Sequence, residues 1–554
     1  MNLEYEELPL GQPLTEAYTR RSDPGLSALF GYHYTEDGDW RRRAEWLDGH
    51  AADRADAAAV AETLLAYNRR FGRSERQEER IRKLPEGAPV VVGGQQAGLW
   101  SGPLMVLHKA VTIIRTARRA EELLGRPVVP VFWIAGEDHD WDEANHAYIV
   151  SGEPKLRKLS VARPPHLRTS VSRTPVTASQ WRTAVDELAA ALPDGPGKPE
   201  LIERLRGIAG GSGTMSEQFA GILHWLFADE GLVLLDADDP ALRRLEAPMF
   251  GRMIAENDAL EAAYAQAEER VRSLGYPLQA EMAEGSANLF FFLEGRSDGV
   301  TPLAAGDRVL LFKENGELFD RKGTFRLSAG ELMELASSSP ERFSNNVLTR
   351  PLMQDYVLPV LAAVLGPGEI AYWASTGEAF KTFGMRMPIV VPRLSFTIVD
   401  AATDKYMREF ELDMAGVRRE LEARRERWLD EQDELELAGR FEAVKRDFAK
   451  LYTPLLADLP SVAPGLDGLG ETNLQRIERE IAFLQGKVRE AHRVKHQAAL
   501  RRLDRISCHL APEGKPQERL LNFAVFWGQY GRTWLDELLR VPLDRPDGHY
   551  IIRL

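Results

Sequence analysis

Residues 90–135 follow a pattern that few architectures accommodate: an apolar run, a glycine-rich turn, a segment with helical spacing, and a second apolar run. Val90, Val91 and Val92 form the first run, closed by Gly93 and Gly94. Pro103 stands where a first helical residue stands, and Leu104, Leu107, Val111 and Ile114 recur on one helix face. Gly125 and Pro127 end that helix, and Val128 to Ile134 form the second run. Two strands joined through a helix lie parallel in one sheet, with a right-handed crossover. The chain is therefore read as α/β with a parallel-sheet core.

The alternation returns downstream. A helix over Glu217 to Phe227 leads into a strand at Leu232 to Leu235, and a helix over Pro351 to Leu365 is expected to lead into a strand at Ile370 to Trp373. Ile389 to Val391 completes the set. Between these units the texture differs: Leu289 to Leu293, Val309 to Phe312 and the Asn315-Gly316 pair predict an antiparallel meander. Residues 151–215 and 237–344 are thus taken as insertions into a core spanning 1–396, with 151–180 irregular or β-containing. From about Asp400 the sequence turns to Glu, Arg, Leu and Ala, and neither Gly nor Pro interrupts Gly416 to Gly439. Leu421, Trp428 and Leu435 share a heptad position, and a Pro/Gly-containing break at Ser461 to Gly470 precedes a second helix over Asn473 to Ile506. Residues 397–506 are expected to form an antiparallel helical hairpin, and 507–554 to pack back on the core. An aromatic helix over Leu520 to Leu539 puts Phe523, Phe526, Trp527 and Tyr530 into that packing.

At 554 residues the chain exceeds what one hydrophobic core supports, so two to four structural units are expected. A net charge of −14 argues against nucleic acid, whose phosphates call for a basic surface. No stretch is apolar enough to span a membrane, and the acidic start differs from a secretory signal. A single cysteine, Cys508, rules out an internal disulfide or thiolate metal cluster and fits a reducing, cytoplasmic setting.

Two polar segments follow predicted strands, at the edge where parallel sheets bind ligands, and a third leads into a predicted helix. The first is the turn from Gly93 to Gly102. Gly94, Gln95, Gln96, Gly98, Ser101 and Gly102 are candidates to present backbone N–H groups to an anion, with His108 and Lys109 one to two turns into the helix. The second runs from Ala135 to His146. Glu137, Asp138, His139 and Asp140 are the candidate catalytic group, because clustered carboxylates raise one another's pKa and that of a histidine toward a general base near neutrality. Asn145 lies beside them. Two other readings of this segment are a solvated acidic turn and a divalent metal site of Asp138, His139, Asp142 and His146. The third segment leads into the helix at Pro351: Arg350 offers a fork for a carboxylate, Asn346 and Gln354 can read an amide or hydroxyl, and helix capping is the alternative. Tyr372, Thr376 and Glu378 are assigned to the same rim, while Asp236 and Asp238 read more readily as a plain turn.

Taken together, VVGGQQAGLWSGPLMVLHKA, PVVPVFWIAGEDHDWDEANH, NNVLTRPLMQDY and GPGEIAYWA resemble the successive motifs of the bacillithiol biosynthesis cysteine-adding enzymes, and the likeness spans nearly the full chain. The resemblance implies a Rossmann-like core similar to the nucleotidyltransferase fold of class I aminoacyl-tRNA synthetases, with a C-terminal coiled coil. The sequence carries neither HxGH nor KMSKS in usable form. The resemblance further implies amide formation between the carboxyl of cysteine and the amine of glucosaminyl malate, the substrate bringing the thiol. Carboxylate activation calls for a cosubstrate such as ATP, for which Arg393, Lys515 and Gln517 are candidate contacts; no metal is assigned. On this reading the Gly-rich turn and Lys109 hold an anionic group, the 137–140 cluster deprotonates the amine, and Arg350 with Asn346 orients a carboxylate. The hairpin is expected to create a homodimer. The competing functions are a metal-dependent amide or sugar hydrolase and a non-catalytic scaffold or thiol-delivery protein.

Overall fold

The computed structural model describes residues 2–164, 168–293, 306–543, 545 and 548–554. Parts of the expected insertions, residues 165–167 and 294–305, lie outside the described residues. The chain divides into two compact units. One comprises Met1–Gly152, Leu156–Ile398 and Gln517–Ile552, the other Glu153–Lys155, Val399–Pro516 and Arg553–Leu554.

A five-stranded parallel sheet forms the heart of the first unit. Its strands are β1 (Val90–Gln95), β2 (Val129–Ile134), β3 (Val233–Asp236), β4 (Val360–Leu365) and β5 (Ile389–Pro392). They lie side by side in the order β5-β4-β1-β2-β3, every neighbouring pair parallel. Read from the other edge, 3-2-1-4-5 is the doubly wound Rossmann order. The chain moves outward from β1 through β2 to β3, then returns to β4 on the opposite flank. A crevice therefore opens at the carboxyl ends of β1 and β4, where the connections depart in opposite directions. The strands are almost wholly buried, as a parallel sheet covered on both faces requires.

Helix α1 (Met105–Leu124) connects β1 to β2 and is stopped by Gly125 in the left-handed conformation, φ 65°. Residues 237–344 supply helix α2 (Pro240–Ala255), a second helix over Asn257–Ser273, and strands that pair antiparallel with Phe343–Asn345 at one edge. The strands Arg308–Glu314 and Glu317–Phe319 meet at Asn315 and Gly316, whose φ values of 52° and 81° are those of a primed hairpin turn. Residues 151–215 contribute a strand at Leu156–Ser160, paired with His146–Val150, and two helices.

The expected helix over 351–365 and strand at 370–373 are both corrected. Helix α3 (Arg350–Val357) ends before Pro359, which forces Leu358 into extended backbone, and the run Val360 to Leu365 is the strand β4. An apolar run of that length fits a buried strand as well as a buried helix. Gly366, Pro367 and Glu369 then start helix α4 (Pro367–Trp373), with Glu369 accepting the Gly366 N–H at 2.7 Å. The expected aromatic helix is three short ones, Gln517–Leu520, Ala524–Tyr530 and Thr533–Leu538, interrupted by Asn522, which caps Ala524, and by Gly531 at φ 56°. Phe523, Phe526 and Trp527 are core residues, as read from the sequence.

The second unit is helical. The segment expected to run unbroken through 416–439 is three helices, Met414–Arg419, Leu421–Glu431 and Leu437–Asp458. Asp433 accepts the Ala438 N–H at 3.1 Å and Glu436 turns left-handed at φ 50°, so a local side-chain bond replaces a helical turn. The return helix spans Leu466–Lys495 and continues as Gln497–Leu510. At Gly470 within it a Cβ would strike the side chains of Leu456 and Leu459, at the end of the preceding helix and the turn after it.

One buried ion pair fixes α3 against the sheet. Arg43, fully buried on the helix Asp37–Gly49, donates to Asp355 at 2.5 Å and to the carbonyls of Val360 and Arg386. Arg43→Ala leaves Asp355 with Arg54 alone, at 3.3 Å. Removing one partner of a buried pair costs about 3–5 kcal/mol. Urea denaturation should therefore show a lower midpoint for Arg43→Ala, and a smaller loss for Arg54→Ala.

Candidate functional site

The turn after β1 is built tightly. Trp100 and Ser101 hold positive φ values of 47° and 68°, followed by Gly102 at 67°. Such backbone persists only where surroundings over-determine it. Asn522 donates to the carbonyls of Trp100 and Gly102, both at 2.7 Å, and the Gln218 side chain accepts the Trp100 N–H. The N–H groups of Gly102 and Leu104 donate to Leu99 and Leu521. Ser101 is fully buried and its hydroxyl finds no partner among the described residues. Gly98 passes so close to Gly102 that a Cβ would meet the Gly102 Cα at 2.9 Å. The backbone donors of Trp100, Gly102 and Leu104 thus serve the turn itself, and the groups that reach outward from it are the side chains of Gln95 and Gln96.

Lys109 sits at the switch point. Its buried ammonium donates to the Gly94 carbonyl at 2.6 Å, to Gln95 Oε1 at 3.1 Å and to Glu369 Oε2 at 2.5 Å, so α1 is linked to the start of α4. Burial pulls its pKa below that of an ordinary lysine, against the pull of Glu369. Next to it Arg350, at the start of α3, donates to the Tyr372 hydroxyl on α4 at 2.7 Å. The charges of Glu369, Glu137 and Asp138 all act on Arg350, which places the three polar segments around one rim. Tyr372 is buried, and burial pushes its hydroxyl up to about 12.

The segment after β2 meets the first turn directly. Gln96 Nε2 donates to Asp138 Oδ2 at 2.5 Å, and Asp138 Oδ1 accepts the N–H of His139 at 2.7 Å and of Asp140 at 3.2 Å. Burial works to raise the Asp138 carboxyl, but Gln96 and the charge of Arg308 outweigh it and leave the pKa low. His139 is also lowered, by burial first and by Arg308 second, although Asp138 and Asp140 pull the other way. The carboxylates alone predict a raised histidine; burial, reinforced by the Arg308 guanidinium, reverses the sign. Asp140 caps the short helix Trp141–Ala144 through the Glu143 N–H at 3.1 Å.

Glu137 stands apart from its neighbours. It is buried, receives Arg243 of α2 at 2.5 Å and accepts the Asn345 N–H at 3.2 Å. Arg243 also holds Glu246 at 2.8 Å. The glutamate therefore ties the catalytic-candidate segment to α2 and to the strand Phe343–Asn345. Gly136, beside it, is hemmed in so that a Cβ would overlap Ser172 Oγ and Asp236 Oδ1.

Other expected residues occupy structural positions. Asn346 accepts the N–H groups of Leu348 and Thr349, both at 2.9 Å, and donates to Asn288, so it caps the approach to α3. Thr376 is buried and bonds the Trp373 carbonyl, while Glu378 pairs with Lys381 at 2.8 Å. Gln354 is buried on α3, and Asn145 is half-buried beside His146. His108 is fully buried, 2.7 Å from Glu518, and Glu518 also takes the fork of Arg393 at 2.7 and 2.9 Å. Gln517 clasps Ile398 through both of its amide groups. Two of the three candidate nucleotide contacts are thus engaged inside the first unit. Lys515 belongs to the second unit, where it is exposed and 3.8 Å from Glu513. Among the described residues no group of three or more His, Cys, Asp and Glu is placed to hold a metal ion, and His146 Nδ1 faces the Asp142 carbonyl instead.

Four residues of the site went unnoticed in the sequence. Glu369 falls just before residues 370–373, expected as a strand, and instead opens α4. Glu143 borders, with Gln96, His146 and Tyr148, a cavity of about 170 Å³, and its pKa is raised by burial and by Asp138 and Asp140. Arg308 lies in the meander, stacked 3.8 Å from the Phe290 ring. Asn345, next to the chosen Asn346, is the buried amide whose side-chain nitrogen and oxygen both lack partners among the described residues. Only the fold reveals which of two adjacent asparagines caps the turn into α3 and which is buried with its amide unpartnered.

A doubly wound parallel sheet, polar at its switch point, with a helical unit appended, defines an α/β protein of the Rossmann-like class. Residues 1–394 match the N-terminal Rossmann-like domain of bacillithiol biosynthesis BshC, and residues 396–554 match its C-terminal coiled-coil domain. The chain belongs to the BshC family. It is 36% identical over 546 residues to a protein of Symbiobacterium thermophilum named "Putative cysteine ligase BshC", covering 96% of this chain and 95% of the relative. Proteins of the same name from Geobacillus thermodenitrificans and Bacillus cereus are 37% and 32% identical, covering 96% and 100% of each chain.

The carboxyl end of β3 provides a pH test of this geometry. Asp236 is buried, accepts from Ser172 at 2.6 Å, and is pushed up to about 7 by burial and by Asp238. An unfolded aspartate titrates near 3.9, so between about pH 4 and pH 7 the folded chain holds a proton that the unfolded chain has released. Stability then falls as pH rises through that window and is level above it. Asp236→Asn should be more stable than the parent at pH 8, by on the order of a few kcal/mol, and indistinguishable at pH 4. Denaturant midpoints at the two pH values check this.

Proposed function

We propose that this chain is a cysteine ligase forming a carbon–nitrogen amide bond in bacillithiol biosynthesis, adding L-cysteine to glucosaminyl malate in the cytoplasm. The observation that carries the reading is the convergence of Gln96, Asp138, Lys109 and Arg350 on one rim, joined by bonds of 2.5 Å at Gln96–Asp138 and Lys109–Glu369. The full-length likeness to relatives named as cysteine ligases supports it.

The division of labour follows from the environments. Arg350, already oriented by Tyr372, is the cation that meets a substrate carboxylate with two parallel bonds. Gln96 and the turn at Asp138 to Asp140 border the place where the amine is presented. Glu143 borders the cavity beside Gln96, and burial with the charges of Asp138 and Asp140 raises its pKa above the ordinary glutamate value, which favours it as the acceptor of the ammonium proton. Glu137 holds the segment in place from behind. The body made by the core, 1–396 with its insertions at 151–215 and 237–344, and by the closing segment 507–554 carries the chemistry, and the hairpin 397–506 carries assembly.

A homodimer is part of this proposal. The helices Leu437–Asp458 and Leu466–Lys495 expose Val444, Leu451, Leu455, Leu469, Phe483 and Leu484, with Leu451 80% exposed. A second copy would remove that apolar surface from water. Sedimentation should give the mass of two chains; the mass of one overturns this part.

The activity is tested by incubating the full chain with cysteine and glucosaminyl malate, with and without ATP, and weighing the products. Bacillithiol is the expected product, and the accompanying appearance of AMP, ADP or neither identifies the activating cosubstrate. Asp138→Asn should lower kcat/KM by about 100-fold with the fold intact. Parent-level activity in that variant would remove the cluster from the mechanism.

A further inference from the structure

His139 is held from one side. Its Nδ1 lies 3.1 Å from an Arg308 terminal nitrogen. That guanidinium is itself immobilised: Nε donates to Ser344 Oγ at 2.8 Å, the second terminal nitrogen to the Asn345 carbonyl at 2.7 Å, and its plane stacks 3.8 Å from Phe290. A guanidinium has donors only and keeps its proton throughout the physiological range. Whatever faces it at hydrogen-bond distance must accept. The competing partner for Nδ1 is Asp138 Oδ1, which is 3.7 Å away and already receives the backbone N–H groups of His139 and Asp140. Nδ1 is therefore the acceptor nitrogen of the ring, and in a neutral imidazole the proton then resides on Nε2. Nε2 has no hydrogen bond among the described residues, and the side chain is 43% exposed.

We infer that Arg308 is a positioning residue that locks His139 in its Nε2–H tautomer, so that this imidazole serves the site as a hydrogen-bond donor to a substrate oxygen and not as its base. The inference rests on the ligase reading for the identity of the oxygen, which is that of the cysteine carboxyl, where negative charge develops during amide formation. No proton leaves the ring in this role. The other charges facing His139 are Asp138, Asp140 and Arg163, whose guanidinium reaches the His139 carbonyl at 3.5 Å. The two cations oppose protonation of the ring, and burial acts in the same direction. The ammonium proton goes to a carboxylate instead, which agrees with the raised pKa of Glu143.

Histidine ring nitrogen spectra of the full chain, labelled with nitrogen-15 and assigned by loss of the signal in His139→Gln, read the tautomer without turnover. The expected result at pH 8, where the ring is neutral, is an unprotonated Nδ1 and a protonated Nε2. In Arg308→Gln the ring should titrate at higher pH and show protonated Nδ1. A protonated Nδ1 in the parent overturns the lock. Turnover reads the role: glutamine places an amide N–H near the position of Nε2–H but cannot act as a base. His139→Gln should keep kcat/KM within about tenfold of the parent and the same pH profile, while His139→Ala loses about 100-fold or more. A glutamine variant as weak as the alanine one overturns the donor role. Failure of the parent itself to form bacillithiol overturns the ligase reading, and the ring spectra still decide the tautomer.

Discussion

The ammonium of Lys109 is the point on which the site is organised. It is withdrawn from water at the junction of β1 and β4, where a charge is costly unless fully partnered, and it meets that requirement through the Gly94 carbonyl, Gln95 and Glu369. The partners come from both flanks of the crevice. Gly94 and Gln95 end β1, and Glu369 opens α4 after β4. Because Gln95 is turned toward Lys109, its neighbour Gln96 is free to bridge to Asp138, and the turn after β2 is drawn to the same rim. Arg350 and Tyr372 complete the ring from α3 and α4. Loss of the lysine would leave a glutamate at a half-buried helix start with only the Gly366 N–H, and would loosen both flanks of the switch point together.

The electrostatics of the rim come from pairing across long sequence distances. Asp138 and His139 are neighbours in an acidic run, yet both titrate below their ordinary values, Asp138 through the Gln96 hydrogen bond and His139 through burial, with the charge of Arg308 from the meander adding to each. Glu137, one residue earlier, is turned inward to Arg243. Four consecutive ionisable residues thus divide into a buried anchor, a hydrogen-bonded carboxylate, an imidazole facing a cation and a helix cap. Uniform reading of such a run as one acidic cluster misses this, since the turn leads outward from the buried Glu137 to the exposed Asp140.

Much of the architecture could be read in the sequence wherever a local rule determined the outcome. The strand, turn and helix at 90–124, the strand at 129–134 and the Asn315-Gly316 hairpin follow from apolar spacing and turn chemistry. The run 360–365 was misread as helix because apolar residues without interruption satisfy both periods, and only its place between β1 and β5 selects the strand. In the second unit, the break at 432–436 depends on one aspartate side chain choosing a backbone N–H. The candidate site was legible as two polar segments after strands and a third before a helix, but not as roles. Asn346 caps the turn into α3 while Asn345 meets Glu137 and Arg308 through its backbone, and His108, placed in the binding set, is sealed against Glu518. Glu369, Arg308 and Glu143 gain meaning only from neighbours supplied by the fold.

The central claim is that a small acid-bearing substrate lies at the carboxyl ends of β1, β2 and β4. A crystal structure of the full chain with bacillithiol bound measures this most directly. The account predicts ligand density within hydrogen-bond distance of Gln96 and Arg350, with an oxygen facing His139 Nε2. Density placed elsewhere, with the Gln96–Asp138 bond and the Arg350–Tyr372 bond undisturbed and no ligand atom near them, would contradict it.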